Sequence, residues 1–132
     1  MARDTRRILV VDDEADVVDY ITAVLRDNGY EVVATTDGAE ALRLVRSEAP
    51  DLVCLDIAMP APTGVKIYRE LRDDPQLRSI PVVMITGVIQ QFRDFIHHRK
   101  RVPPPDGYIA KPFAIDELLE TLERLLPSTV DA

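Results

Sequence analysis

Residues 6–13 read RRILVVDD, an apolar run that stops on two adjacent acids, Asp12 and Asp13. The stretch Ile8 to Val11 is rich in β-branched side chains and shows no polar alternation, so it reads as a short strand buried on both faces. Three later runs have the same form: DLVCLD at 51–56, IPVVMIT at 80–86 and DGYIAKP at 106–112. They end on Asp56, Thr86 and Lys111. In an open parallel sheet the C-terminal ends of the strands share one edge, where such folds place their ligands. Three carboxylates, a hydroxyl and an ammonium would meet there. That donor set suits a divalent cation and a phosphoryl group.

Helical patterns separate the strands. In DEADVVDYITAVLRDNGY, Val17, Val18, Ile21, Val24 and Leu25 form an apolar stripe, and Asn28-Gly29 supplies a stop. Glu31–Thr35 is a shorter, more alternating strand suited to a sheet edge. Asp37 can cap the next helix, whose inner face is Ala41, Leu42, Val45 and Ala49 before Pro50. A third strand over Leu52–Leu55 and a turn at Pro60–Gly64 lead to a helix carrying Val65, Ile67, Tyr68 and Leu71. The fourth strand is expected over Ile80–Ile85, and a fourth helix is marked by Val88, Ile89, Phe92, Phe95 and Ile96. Gly107–Ala110 is the fifth strand, and Ile115, Leu118, Leu119, Leu122, Leu125 and Leu126 mark the last helix.

Strict alternation of five strands with five helices, joined by right-handed crossovers, leaves few windings. A doubly wound α/β fold with strand order 2-1-3-4-5 has its switch point between the first and third strands. Those strands end in Asp12/Asp13 and Asp56, so topology and chemistry select one place.

A length of 132 residues fits one domain, and a 46% hydrophobic, 30% charged composition fits an ordinary soluble protein. A formal net charge of -7 argues against direct binding of nucleic acid or an anionic membrane surface. The one cysteine, Cys54, excludes an internal disulfide framework and points to a reducing cytoplasm. Its place in a strand makes it core packing. No apolar run is long enough to span a membrane, and MARDTRR is not a signal peptide.

Two unit charges about 6 Å apart repel by roughly 3 kcal/mol at an effective dielectric near 20. Three clustered carboxylates therefore need neutralising, and hard oxygen ligands favour Mg²⁺. Lys111 offsets part of the remainder. The plainer reading of Asp12 and Asp13, that they only cap a helix, needs one acid rather than two. Asp56, rigidly placed between a strand and the turn IAMPAPTG, can act as a nucleophile toward phosphorus; as a metal ligand alone it would do no chemistry.

The motifs ILVVDDE, LVCLDIAMP with a glycine soon after, VVMITG and IAKPF, in this order and spacing, resemble the receiver domain of two-component response regulators, the flavodoxin/CheY-like (βα)5 fold. The resemblance covers residues 6–126 and leaves 127–132 as a tail. It implies that Asp56 is phosphorylated by a sensor histidine kinase or a phosphotransfer protein. It also implies that Asp13, Asp56 and the Ala58 backbone carbonyl bind Mg²⁺, with Asp12 acting largely through water. Lys111 would pair with Asp56 or the phosphoryl group, across a cis Lys111–Pro112 peptide. Thr86 would bond a phosphoryl oxygen, and Tyr108 stands at the switch aromatic position, for which a static half-buried tyrosine is the plainer account. Output would pass through the face of the fourth helix, fifth strand and last helix to a partner protein or a C-terminal effector, with a homodimer possible in this family.

The chain departs from the family in GVIQQFRDFIHHRKRVPPPDGYIA, residues 87–110, which is longer, basic and then broken by Pro103, Pro104 and Pro105. Its basic end suits a helix dipole or a recognition surface; His97 and His98 point about 100° apart on a helix and make a poor metal pair. Ala58 and Val88 stand where the family tunes phosphoryl loss, and Thr63 replaces a frequent acid before Gly64. Two other classes compete with the phosphoacceptor. One is an unphosphorylated pseudo-receiver that only docks, although every acid and the lysine are retained. The other is a haloacid-dehalogenase-type phosphohydrolase, which wants a second carboxylate where Ala58 stands.

Overall fold

The strands expected from the apolar runs form, and each sends alternate side chains to opposite layers. A computed structural model of the chain describes residues 5–60, 62–87 and 105–126. The strands are β1 (Arg7–Val11), β2 (Glu31–Thr35), β3 (Leu52–Leu55), β4 (Val82–Thr86) and β5 (Gly107–Ala110). The helices are α1 (Ala15–Asp27), α2 (Ala41–Glu48), α3 (Gly64–Asp73) and α4 (Ile115–Leu125). The expected helix marked by Val88 to Ile96, with His97, His98 and the three prolines' first two members, lies outside the described residues.

All strand pairs are parallel, in the order β2-β1-β3-β4-β5. Leu9 and Val11 join the layer of α2 and α3, while Ile8 and Val10 join that of α1 and α4. This two-sided burial is why β1 and β3 carry no polar alternation. At the edge, β2 buries only Val32 fully, which matches its mixed sequence. Register does the positioning. Val11 pairs with Leu55 and Thr86 with Ala110. Asp12 and Asp56, each one residue past its strand, therefore lie side by side, and Lys111 follows one step beyond Thr86's partner.

Several boundaries differ from expectation, and β1 starts at Arg7, one residue before Ile8. β4 begins at Val82 rather than Ile80, because the Ile80 N–H already donates to Leu77 and its carbonyl accepts from Arg72. Its far end reaches Thr86, where the strand pairs with Ala110. Ala49 is not on the inner face of α2. It is exposed, with φ 48°, and ends the helix in the left-handed conformation that the chain needs before Pro50. Asp37 caps as expected, accepting from the Ala39 N–H at 2.9 Å, on a single 3-10 turn (Gly38–Glu40) that precedes α2. Gly29, at φ 89°, takes the left-handed position that stops α1.

Cys54 is 1% exposed in the α1/α4 layer, and burial pushes its thiol up to about 12. The thiolate is the nucleophile, so the native thiol is unreactive. Iodoacetamide is expected to label the folded chain only through rare opening and to label it completely in concentrated guanidinium. Rapid labelling in native buffer would show that this strand is open.

A second tie holds the start of β5. The Arg72 side chain, 7% exposed, donates from Nη2 to Asp106 at 2.7 Å and from Nη1 to the carbonyls of Arg78 and Ile80 at 2.9 and 2.8 Å. Its Nε donates to the Tyr68 hydroxyl at 3.1 Å. Asp106 also accepts from the Val82 N–H at 2.9 Å. One guanidinium thus binds α3, the loop before β4 and the residue preceding β5. Arg72→Ala leaves two carbonyls and a carboxylate without this donor, and the expected loss is about 3 kcal/mol. Urea denaturation checks it; an unchanged midpoint would reduce the network to decoration.

Candidate functional site

The site is built at the carboxyl ends of β1, β3, β4 and β5, where backbone bonds extend the sheet by one residue. Asp56 N–H donates to the Val11 carbonyl at 3.0 Å and Lys111 N–H to the Thr86 carbonyl at 3.1 Å. Asp12 is 2% exposed, Asp56 3% and Thr86 0%, so three polar side chains are withdrawn from water at one end of an apolar sheet. Such burial is costly unless partners are supplied.

The partners are specific. Lys111 Nζ donates to Asp12 Oδ2 at 2.7 Å, to Glu14 Oε1 at 3.2 Å and to Asp56 Oδ2 at 3.3 Å. Asp12 Oδ1 accepts from the Glu14 N–H at 2.9 Å, and Asp56 Oδ1 from the Ala58 N–H at 3.0 Å. The second bond orients the Asp56 carboxylate from the turn that follows it. Lys111–Pro112 is cis, as the resemblance implies.

Burial raises the Asp12 carboxyl above its ordinary range; the Lys111 hydrogen bond and the Glu14 N–H oppose this, while the Asp56 charge adds to it. A folded-state pKa above the unfolded one favours the protonated form in the fold. Asp12 therefore contributes stability at low pH that is lost as pH rises through its folded value. For Lys111, burial works to lower the pKa, yet the hydrogen bond and charge of Asp12, with Asp56 and Glu14, outweigh it and the ammonium is held above its usual value. The lysine stays charged across the physiological range.

Asp12, Asp13, Glu14 and Asp56 each bring a carboxylate oxygen within 4.8 Å of the others. All-oxygen, anionic donors at this spacing fit a small hard divalent cation, and Mg²⁺ answers that description. Asp13 and Glu14 are exposed and Asp12 and Asp56 buried, so the cluster has a floor and an open mouth. Of the sequence-predicted residues, Asp12, Asp13, Asp56 and Lys111 are thus brought together, and Thr86 ends β4 beside them, its carbonyl accepting from the Lys111 N–H. Ala58 follows on the same turn, exposed. Tyr108 is half-buried and packs on the α2/α3 layer, across the sheet from Met84 in register.

Two residues were missed by sequence reasoning. Glu14 stood in the quoted ILVVDDE but attracted no role. Gly64 was read as a turn residue and as the glycine that follows the LVCLDIAMP motif, with no steric reason attached; a Cβ there would lie 2.2 Å from the Asp56 carbonyl oxygen and 2.4 Å from Ile57 Cα. The signal for Gly64 is tertiary, because nothing local demands glycine. Thr63, by contrast, caps α3 by accepting from the Lys66 N–H at 3.2 Å, which accounts for a hydroxyl residue at this position.

Residues 8–123 match the response regulator receiver domain family. The chain belongs to that family. The receiver is 31% identical, over 92% of its length and 97% of the relative's, to the polar-differentiation response regulator DivK of Brucella ovis. Among solved structures it is similar to the chemotaxis protein CheY4 of Vibrio cholerae, with TM-score 0.82 and 31% identity over 92% of this chain and 99% of that one. It is also similar to the response regulator TrrA of Thermotoga maritima in complex with Mg²⁺-BeF, with TM-score 0.80 and 33% identity over 92% of this chain and all (100%) of that one. The receiver is therefore a component of two-component signalling, with the CheY-like fold. No helix among its described residues is long and apolar enough to cross a membrane.

Proposed function

We propose that the receiver accepts a phosphoryl group on Asp56 from a phosphohistidine of a sensor kinase or phosphotransfer protein. One observation carries this reading: a buried, oriented carboxylate shares an obligate ammonium and lies within a cluster of cation-type oxygen donors. An Asp56 oxygen attacks phosphorus, the phosphorus–nitrogen bond breaks, and the imidazole departs with the electron pair, leaving an acyl phosphate on Asp56. Asp12, Asp13, Asp56 and the Ala58 carbonyl would hold Mg²⁺, which supplies neutralisation of the phosphoryl oxygens as charge moves from the leaving nitrogen. Lys111, already charged and 3.3 Å from Asp56, is placed to exchange a carboxylate partner for a phosphoryl oxygen.

Thr86, wholly buried at the end of β4, turns its hydroxyl toward the new oxygens. The half-buried Tyr108 ring then takes the space left by it. Phosphorylation selects between the two packings only by its differential affinity for them. β5 and α4, with the segment 88–104, carry the change to a partner protein, an effector or a second copy of the receiver.

The test is incubation with acetyl phosphate or phosphoramidate and Mg²⁺, followed by intact mass. A labile single adduct that needs Mg²⁺ supports the phosphoacceptor. No adduct supports a docking module, and steady turnover of unrelated phosphate esters supports a hydrolase.

A further inference from the structure

Glu14 occupies the N-cap of α1, where Ser, Thr, Asp or Asn would satisfy a free helix N–H. Its side chain makes no cap bond. Its backbone is nevertheless held on both sides: the N–H donates to Asp12 Oδ1 at 2.9 Å and the carbonyl accepts from Val18 N–H at 3.1 Å. The side chain, 62% exposed, instead reaches over the mouth of the site to Lys111 at 3.2 Å. A poor cap has thus been placed where its only described contact is with the ammonium that serves Asp56.

The charge count gives that contact a consequence. Four carboxylates, those of Asp12, Asp13, Glu14 and Asp56, face one ammonium, which leaves three negative charges. A divalent cation reduces this to one, and without Glu14 it would reduce it to none.

Building on the phosphoacceptor reading above, we propose that Glu14 tunes the site: its carboxylate strengthens cation binding while selecting against highly charged small phosphodonors and competing with the phosphoryl group for Lys111. It is a positioning and specificity residue, since it neither attacks phosphorus nor lies on the buried floor. A protein phosphohistidine, which brings its own surrounding charges, can offset the residual negative charge; a free acyl phosphate dianion cannot.

The experiment is Glu14→Gln in the full chain. Mg²⁺ affinity by calorimetry, with no phosphodonor present, is expected to weaken about threefold, the size usual for one solvent-screened charge. At saturating Mg²⁺ the rate of adduct formation should instead rise about threefold with acetyl phosphate, doubly charged at neutral pH, and less with singly charged phosphoramidate. Both differences should close at about 1 M salt, where the screening length is about 3 Å. Glu14→Asp, which keeps the charge, should stay within about twofold of the parent. Unchanged Mg²⁺ affinity overturns the proposal, as does a rate gain equal for both donors, persistent in salt or shared by Glu14→Asp. If the parent takes up no adduct at all, the phosphoacceptor reading fails, while calorimetry still decides whether Glu14 holds the cation.

Discussion

The Asp56→Asn protein is expected to keep its unmodified mass after incubation with acetyl phosphate and Mg²⁺, under conditions that convert the parent. Asparagine preserves the shape and can still accept the Ala58 N–H, so the loss isolates the nucleophilic oxygen rather than the fold. The same variant should be more stable than the parent when no divalent cation is present. Removing one buried charge relieves the repulsion that Asp56 exerts on Asp12, and Lys111 keeps Asp12 and Glu14 as partners. A gain of about 1 kcal/mol in urea is reasonable at an effective dielectric between protein and water. Added Mg²⁺ should stabilise the parent more and close the gap. An adduct on the Asp56→Asn protein would place the acceptor on another residue, and a loss of stability would mean that the Asp56–Lys111 contact outweighs the repulsion.

Gly64→Ala carries the other large effect. The added methyl would meet the Asp56 carbonyl and the Ile57 backbone far inside contact distance, and neither can rotate away. Either α3 withdraws from β3, opening the layer that holds Ile67, Tyr68 and Leu71, or the backbone at Asp56 moves. Overpacking of this kind costs about 3 kcal/mol or more when the obstacle is main chain. Urea denaturation should show a clearly lowered midpoint, and the surviving folded fraction should form the Asp56 adduct more slowly, because a nucleophile displaced by about 1 Å loses its alignment. A parent-like midpoint together with a parent-like rate would show that the turn relaxes at no cost. Gly64 thus couples the stability of the α3 layer to the geometry of the acceptor.

Three strands, β1, β3 and β4, were legible because two-sided burial leaves a continuous apolar signature, while β5, at the far edge, buries only Gly107 and Ile109. β2 was legible for the opposite reason, since an edge strand keeps its alternation. The acids and Lys111 were legible because period-2 strands that end in polar residues must present them at one edge once the strands are parallel. The ends of β4 were less so, since the competition of Arg72 and Leu77 for Ile80 is settled by residues eight and three positions away. Ala49 gave no warning of its left-handed backbone, because an alanine has no local reason to adopt it.

From sequence alone came the winding, the switch point between β1 and β3, and the set of groups that could meet there. Those follow from patterning and from the handedness of crossovers, which are properties of the chain itself. Tertiary structure alone decided how the charges are shared. Lys111 lies nearest Asp12, not Asp56; Glu14 joins the cluster from a helix cap; Gly64 is fixed by a backbone that approaches from eight residues earlier. Differences of about half an ångström among the contacts of Lys111 with groups far apart in the chain depend on register and helix packing, and no local pattern encodes them.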